Sequence, residues 1–242
     1  MLRSYKLGET SRIVVFLTRE QGKVRAVAKG ARGPRPRYQS ALEPLSEVRI
    51  GLHGRQGSEL LRLGDCELLR SAFPARGRSF EATLFLSYLV ELLDAFSQEG
   101  EADSATFRLA LAAIRAADDG GSDLILGRYV EAWLLRLHGV YPPTDRCAGC
   151  GGGLPSGRLV YHGAAHGFIC ENCGPASGPV LPEQARAYLG EIFRRSPAAM
   201  PPAPPAAAVA LEGFHQELIT RHLERSLRSG RVLKELARER QA

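Results

Sequence analysis

Hydrophobic and polar positions follow the period of a β-strand through most of the first seventy residues. Several short segments alternate in this way or are rich in β-branched and aromatic residues, and glycines such as Gly51 and Gly64 mark the turns between them. The predicted strands are 12–18, 23–29, 47–52 and 58–69. Four or five short strands with glycine corners in about seventy residues are typical of a small closed or partly open β-barrel.

The clearest alternation falls in the segment 23–29. One side of this predicted strand carries small apolar residues and the other carries mostly cations. The apolar side consists of Val24, Ala26 and Ala28, and the opposite side consists of Lys23, Arg25, Val27 and Lys29. The strand is therefore expected to pack against a core with one face and to present positive charge with the other.

After Pro74 the hydrophobic period changes to that of an α-helix. Leu84, Tyr88, Leu92 and Phe96 recur four positions apart, which predicts a helix that is buried over much of its circumference. A Pro/Ala-rich segment, 197–208, is expected to be a connector rather than a continuous helix. The predicted helices are 79–96, 103–117, 123–139, 181–195 and 211–229.

These patterns predict an α+β multidomain protein. An N-terminal small β-barrel would occupy residues 1–72, and an all-α helical domain would occupy residues 73–242. A cysteine-containing module, at about residues 144–180, would be inserted in the helical domain. The apolar run 13–17 is too short to span a bilayer, and no signal peptide is evident, so a cytoplasmic location is expected.

Charge is distributed unevenly along the chain. The whole chain has a formal net charge of +6, yet residues 1–40 alone contain ten Lys or Arg and only Glu9 and Glu20 as acids. Such asymmetry indicates a polyanionic partner at the N-terminal end, although a solvated basic surface is the simpler alternative.

The basic residues fall in a predicted barrel and its flexible loop, a combination that favours nucleic-acid binding. A groove of cations can follow the phosphates while aromatic side chains stack on bases, and Tyr5 and Tyr38 are placed to do so. No element that reads base edges is evident, so binding should be largely independent of sequence and sensitive to salt. The cations that the pattern places in the groove are Arg12, Lys23, Arg25, Lys29, Arg32, Arg35 and Arg37.

Two CxxC motifs form the strongest motif in the chain. They supply Cys147, Cys150, Cys170 and Cys173, and two such turns can complete a tetrahedral Zn²⁺ site. Four thiolates leave no open coordination position, so the ion would be structural rather than catalytic. His162 and His166 lie within the module and are alternative ligands, while Cys66 is expected to be a small core residue.

No constellation of residues argues for an enzyme. The sequence contains no GxSxG, Walker A or HExxH motif, and no GxGxxG motif follows a predicted strand. The pair Asp118-Asp119 is explained by turn chemistry at a helix end, and His215 and His222 are expected to be a surface or packing pair. A non-enzymatic function is therefore predicted.

The order of these segments resembles the RecO family of bacterial recombination mediators. The resemblance covers nearly the whole chain. It is carried by LRSYKLGETSRIVVFLTREQGKVRAVAKGARGPRPRY, ALEPLSEVRI, GDCELLRSAF, SYLVELLDAF, LLRLHGVYPPTDRCAGCG, CENC and ERSLRSGRVLKEL. It implies an N-terminal OB-fold, a central helical domain and a zinc module, with the four cysteines as zinc ligands.

The resemblance also implies an activity and partners. Members of the family bind single- and double-stranded DNA, anneal complementary strands, and work with RecR to load RecA on strands coated by single-strand-binding protein. The basic positions of the OB match, including Lys6 and Arg19, are then implied DNA contacts. Association with the nucleoid would follow.

Two other functional classes remain as alternatives. The first is a zinc-dependent enzyme that processes nucleic acid, which requires an open metal position and a nearby general base. The second is a zinc-ribbon adaptor for protein partners, in which the basic N-terminal end only aids solubility.

Overall fold

A computed structural model describes residues 1–33, 37–55, 59–72, 74, 77, 79–121, 123–174, 178–230 and 232. The contacts among these residues divide the chain into two compact units. The first unit consists of residues 1–120 together with Val232, and the second extends over residues 121–231. The predicted boundary between residues 72 and 73 lies within the first unit, where the sheet and the first two helices pack together.

A five-stranded sheet forms the first part of the first unit. Its spatial order is β1-β2-β3-β5-β4, with β3 and β5 parallel and the other neighbours antiparallel. The strands are β1 (Arg3–Leu7), β2 (Ser11–Thr18), β3 (Gly22–Ala28), β4 (Glu47–His53) and β5 (Leu61–Arg70). The four strands that the alternation predicts are therefore present, and β1 precedes them.

The predicted two-sided character of β3 is confirmed. Val24, Ala26 and Ala28 are buried, and they join Phe16 and Leu63 in the core of the sheet. The alternate positions of β3 are more exposed, because successive side chains of a strand point to opposite faces.

The sheet is not closed into a barrel by strand pairing among the described residues. The start of the chain nevertheless lies against the segment that leads into β4. The backbone N–H of Leu45 donates to the carbonyl of Met1 at 2.8 Å, and the amino group of Met1 donates to the carbonyl of Ser46 at 3.0 Å. The described residues therefore establish an N-terminal sheet region whose first residues contact the segment before its fourth strand.

Two helices complete the first unit, and both begin at capping side chains. The hydroxyl of Ser79 accepts a hydrogen bond from the backbone of Ala82 at the start of α1, and Asp103 caps the start of α2 in the same way. These helices are α1 (Phe80–Phe96) and α2 (Ser104–Asp118). A cleft of about 520 Å³ lies between the sheet and the helices, lined in part by Phe16, Leu17, Leu93, Phe107 and Ile114.

The segment after α1 pairs with the start of β3. The backbone N–H of Lys23 donates to the carbonyl of Gln98 at 3.2 Å, and the N–H of Gly100 donates to the carbonyl of Lys23 at 3.0 Å. Strand β5 pairs with β3 only at Ala26 and Val27. The segment after α1 therefore covers backbone groups of β3 that β5 leaves unpaired.

Among its described residues up to 227, the second unit contains three α-helices and a small three-stranded sheet of order β7-β6-β8. The helices are α3 (Asp123–Leu137), α4 (Glu183–Ile192) and α5 (Pro205–Leu223), and the strands are β6 (Leu159–His162), β7 (Gly167–Phe168) and β8 (Val180–Leu181). The small sheet lies between the two CxxC motifs and extends just past them.

The last helix begins earlier and ends earlier than predicted. It starts at Pro205, so the end of the expected connector 197–208 is helical. A proline at the first position of a helix is tolerated, because its missing N–H would have no partner within the helix. The helix ends at Leu223, and Glu224 follows it with a left-handed backbone.

A polar network is buried in the second unit, and it changes the interpretation of His215. This side chain is fully buried, with Nδ1 at 3.0 Å from Oε2 of Glu131 and Nε2 at 3.2 Å from the hydroxyl of Tyr141. The guanidinium of Arg128 donates to Oε1 of Glu131 at 2.7 Å. His215 is therefore a packing residue, one of the two expected roles, but its partners are Glu131 and Tyr141 rather than His222, and it is the centre of a hydrogen-bonded network.

No helix in the described part of the chain is long and apolar enough to cross a membrane.

Candidate nucleic-acid interface and metal site

Five of the predicted DNA-binding residues gather at one end of the five-stranded sheet. Lys6 and Arg12 are cross-strand partners, and Arg12 lies opposite Ala28, the residue before Lys29. The backbone N–H of Arg32 donates to the carbonyl of Thr10 at 2.9 Å, which holds the segment after β3 beside the β1–β2 turn. The five residues, here called the turn cluster, are Lys6, Arg12, Lys29, Arg32 and Arg37.

The turn cluster is a concentration of positive charge without acidic partners. No ion pair joins any of its members to an acidic side chain among the described residues. Their hydrogen bonds go to neutral groups: Arg12 donates to the hydroxyl of Ser4 at 3.1 Å, and Arg32 donates to the carbonyl of Gly8 at 3.4 Å. Apart from the half-buried Arg12, the members are exposed, so their charges are available to a ligand.

Three other predicted contacts lie toward the opposite end of the sheet and interact with the helical part of the first unit. Lys23 forms an ion pair with Asp94 at 3.3 Å, and Arg25 forms one with Glu99 at 2.6 Å. The guanidinium of Arg19 lies 5.4 Å from the ring centre of Phe107. The structure therefore divides the predicted basic residues into the turn cluster, which has no ion pair, and three residues that contact the helical part of the first unit. The remaining one, Arg35, lies outside the described residues.

One face of the sheet carries an exposed aromatic side chain between basic residues. Tyr5 is 51% exposed, and it heads a cross-strand row that continues through Ile13 and Val27 to Arg62. Arg62 is exposed and was missed by the sequence analysis, because only strand pairing brings it beside Val27. This row therefore carries, on one face of the sheet, an exposed ring suited to base stacking and a cation three strands away from it.

Tyr38 is not equivalent to Tyr5. Its ring packs against the core of the sheet, and its hydroxyl donates to the carbonyls of Leu63 and Gly64 at 3.1 Å each. The guanidinium of Arg37 lies 5.4 Å from the centre of this ring. Tyr38 therefore supports the loop that carries Arg37, and Tyr5 is the better candidate for base stacking.

The four cysteines of the CxxC motifs converge on one point. Their sulfur atoms all lie within 4.8 Å of one another, and those of Cys150 and Cys170 are 3.8 Å apart. A tetrahedral site with Zn–S distances of about 2.3 Å has sulfur–sulfur separations of about 3.8 Å. The arrangement therefore fits a metal ion, and Cys147, Cys150, Cys170 and Cys173 can bind one together.

Local backbone groups prepare the cysteine cluster for a cation. The N–H groups of Cys170 and Gly149 point to the sulfur of the buried Cys147 at 3.2 and 3.4 Å. Hydrogen bonds from the backbone of Cys170, and then of Cys150, lower the pKa of Cys147 to about 6. The neighbouring thiols raise the pKa of Cys173 to about 12. A metal ion would compensate the negative charge that four thiolates bring together.

The histidines of the module lie outside this cluster. Nδ1 of His162 accepts a hydrogen bond from the backbone of Ala165 at 3.3 Å, and His166 is exposed in a left-handed turn. Cys66 is half-buried against the core of the large sheet, and burial raises the pKa of its thiol.

Aromatic side chains join the cysteine module to α5. Phe168 of β7 stacks on Phe214 of α5 with ring centres 5.5 Å apart, and Tyr161 of β6 meets the same ring edge-on at 5.7 Å. The backbone of Ala148, between the first two cysteines, donates to the carbonyl of Phe168 at 2.8 Å. The cysteine cluster thus holds a segment that is part of the core of the second unit.

A basic sheet region, a helical region and a four-cysteine cluster define a two-part protein with a candidate polyanion-binding surface and a metal site. Comparisons with known proteins agree with this class. Residues 1–72 match the family described as Recombination protein O N terminal, and residues 77–231 match Recombination protein O C terminal. The chain therefore belongs to the RecO family of DNA repair proteins.

Similar proteins cover almost the whole chain. The DNA repair protein RecO of Koribacter versatilis is 32% identical over 94% of this chain and 93% of its own length. The protein of the same name from Anaeromyxobacter sp. (strain Fw109-5) is 33% identical over 98% and 94%. The one from Geobacter metallireducens is 35% identical over 76% of this chain and 74% of its own length.

Proposed function

We propose that this chain is a non-catalytic DNA-binding mediator of recombination. In this proposal it binds single- and double-stranded DNA, anneals complementary strands and, with RecR, helps to load RecA on strands coated by single-strand-binding protein. The nucleoid, in the cytoplasm, is where such a mediator would act. Membership of the RecO family supports the proposal, and the unpaired turn cluster is the observation on which its physical part depends.

The proposed DNA-binding domain is an OB-fold formed by residues 1–72. The antiparallel run from β1 to β3 and the hydrogen bonds between Met1 and the segment before β4 support this assignment, because an OB-fold is a five-stranded and partly open barrel. The helical domain, residues 73–242, would carry the metal module.

The proposed mechanism is electrostatic. Cations of the turn cluster would contact phosphates and release the counterions condensed on DNA, which favours binding without regard to sequence. Tyr5 would stack on an unpaired base, so that a single strand gains a contact that a duplex lacks. Neutralising phosphates on two strands lowers the repulsion that opposes their annealing.

We propose that the metal is one structural Zn²⁺. Four sulfur donors suit zinc, and they leave no coordination position for a substrate or water. This geometry disfavours the alternative of a zinc-dependent nucleic-acid-processing enzyme. Replacement of Cys173 by Ser would distinguish the two: a structural site predicts joint loss of metal and of local folding, whereas a catalytic site predicts lost turnover in a folded protein.

The decisive experiment reverses two charges of the turn cluster. A double variant, Lys29→Glu with Arg32→Glu, should bind a fluorescent oligonucleotide at least about tenfold more weakly at low salt, and the slope of log K against log salt should become shallower by about 1.4 for a single strand. Both residues are exposed and outside the sheet core, so folding should be preserved.

The matched control reverses two exposed arginines elsewhere. Arg108→Glu with Arg158→Glu changes the net charge equally, on α2 and in the cysteine module. Equal losses in both double variants would mean that only net charge matters and would contradict the proposed surface. An absence of DNA binding by the unaltered protein even at low salt would favour the zinc-ribbon adaptor.

A further inference from the structure

Two acidic residues of the first unit form ion pairs with basic residues on the sheet face that carries Tyr5. Oδ2 of Asp94, near the end of α1, lies 3.0 Å from Nε of Arg3, and Oδ1 of the same residue lies 3.3 Å from Nζ of Lys23. Oε1 of Glu99, in the segment after α1, lies 2.6 Å from Nη2 of Arg25. We call Arg3, Lys23 and Arg25 the paired group.

The paired group continues the proposed interface along the strands. Arg3 lies opposite Val15, and Val15 lies opposite Arg25, so these residues form a cross-strand row. The adjacent row on the same face contains Tyr5 and Val27, two residues further along β1 and β3, which corresponds to about 7 Å. Lys29 of the turn cluster lies two residues after Val27, just past the end of β3.

Members of the paired group differ in how accessible they are. The side chain of Lys23 is only 14% exposed, and its Nζ also donates to the backbone carbonyl of Asp94 at 2.7 Å. Arg25 and Glu99 are 53% and 41% exposed. Lys23 therefore anchors α1 to the sheet, whereas the Arg25–Glu99 pair lies in solvent, where ion pairs are weak and open readily.

We infer that Asp94 and Glu99 compete with DNA phosphates for Arg3 and Arg25, and thereby set the affinity and salt dependence of the DNA-binding face. This inference rests on the proposed function. A short strand would occupy the turn cluster and Tyr5 without disturbing the pairs. A longer strand would reach the next row of the sheet and replace each carboxylate with a phosphate, an exchange of one anion for another.

This exchange has a physical consequence. A basic side chain that has no ion-pair partner releases counterions from DNA when it contacts a phosphate, and the binding constant rises. A basic side chain that must first leave a carboxylate contributes less to the binding free energy, because its ion pair with the carboxylate is lost in the same step. The two acids would therefore keep binding weak enough for a strand to be released or exchanged.

The test removes the competing charges without changing side-chain shape. Glu99→Gln should bind a single-stranded oligonucleotide of about 20 nucleotides some three- to tenfold more tightly at low salt, with a salt slope steeper by about 0.7. Asp94→Asn should act in the same direction through Arg3. Fluorescence anisotropy over a salt series measures both quantities, and thermal unfolding verifies that each variant is folded.

Two controls make the test specific. Glu191→Gln removes a carboxylate that pairs with Arg194 and Arg195 in the second unit, and it should leave DNA binding unchanged. Combining Glu99→Gln with Arg25→Gln should abolish the gain, because the cation that Glu99 releases is then missing.

The outcomes separate this inference from the proposed function. Unchanged affinity and slope in Glu99→Gln, in a protein that binds DNA normally, would overturn the inference alone. An equal gain in Glu191→Gln would also overturn it, since net charge would then explain the effect. If the unaltered protein did not bind DNA at low salt, the proposed function would fail and the inference with it.

Discussion

At Gly22 the backbone of β3 passes so close to the segment after α1 that a side chain has no room. A Cβ at this position would collide with the carbonyl oxygen of Glu101, and the residue has φ of +61°. Gly8, in the β1–β2 turn, has a similar φ of +57° but no atom within 4 Å of the same position. Comparing Gly8 with Gly22 therefore distinguishes the cost of a left-handed backbone from the cost of a steric clash.

Alanine substitution should therefore affect the two glycines differently. Gly8→Ala is expected to cost about 1 kcal/mol, because only the left-handed backbone is strained. Gly22→Ala should cost about 3 kcal/mol or more, since the segment after α1 must also move away. Urea unfolding of both variants measures the difference. Equal losses of stability in the two variants would mean that the segment after α1 moves away without an energetic cost.

His215 is a second position where the surroundings decide the chemistry. Burial is the main cause that lowers its pKa from 6.5, and Glu131 opposes the shift. Arg128, Glu131 and Tyr141 face the ring, and a neutral imidazole can donate from Nδ1 to Glu131 and accept at Nε2 from Tyr141.

This lowered pKa predicts a loss of stability in mild acid. Above pH 6.5 His215 is neutral in both the folded and the unfolded states, so it contributes no pH dependence. Below pH 6.5 the unfolded state takes up a proton that the folded state does not, so the free energy of unfolding falls by at most about 1.4 kcal/mol per pH unit. Denaturant unfolding between pH 7.5 and 5.5 should show a steeper fall for the unaltered protein than for His215→Gln. If the free energy of unfolding fell equally with pH in both proteins, the lowered pKa of His215 would be refuted.

At the scale of residues, the sequence predicted which side chains lie on each face of a strand, but not which side chains form ion pairs or hydrogen bonds with one another. Alternation gave the two sides of β3 correctly, because that pattern depends only on the strand itself. It did not indicate that Lys23 and Arg25 meet acids beyond residue 90, since long-range packing brings those groups together. The partner of His215 was missed for the same reason: Glu131 is 84 residues away in sequence.

At the scale of elements, the cysteine cluster is the part of the site that the sequence predicts best. Each CxxC turn supplies two ligands from neighbouring residues, so the motif contains most of its own geometry. The start of α5 was predicted less well. A Pro/Ala-rich segment disfavours a helix interior, but Pro205 stands at the first turn, where the same residue type is suitable.

Loss of one buried ligand should disrupt the whole cysteine module. Cys147→Ser removes the sulfur that accepts hydrogen bonds from two backbone N–H groups, so both metal content and the packing of Phe168 on Phe214 should be lost. Metal analysis and near-ultraviolet circular dichroism measure these effects. Cys66→Ser, outside the module, is the control and should retain the metal; metal retained in Cys147→Ser would show that three ligands suffice.

At the scale of the whole molecule, the division into two units predicts that removal of the proposed metal has a local effect. A chelator should lower amide hydrogen-exchange protection within residues 121–231 and leave residues 1–120 protected. Mass spectrometry of exchanged peptides provides the map. Loss of protection in β2 and β3 on chelation would contradict independent folding of the units.

The hydrogen bonds between β3 and the segment after α1 also determine where the protein can be cut. A fragment ending at residue 72, where the first family match ends, would lack Gln98 and Gly100 and would leave the start of β3 as an open edge. Such edges recruit other strands, so size-exclusion chromatography should find that fragment aggregated and a fragment of residues 1–120 monomeric. The boundary between the two family matches would then not coincide with a boundary between independently stable parts of the protein.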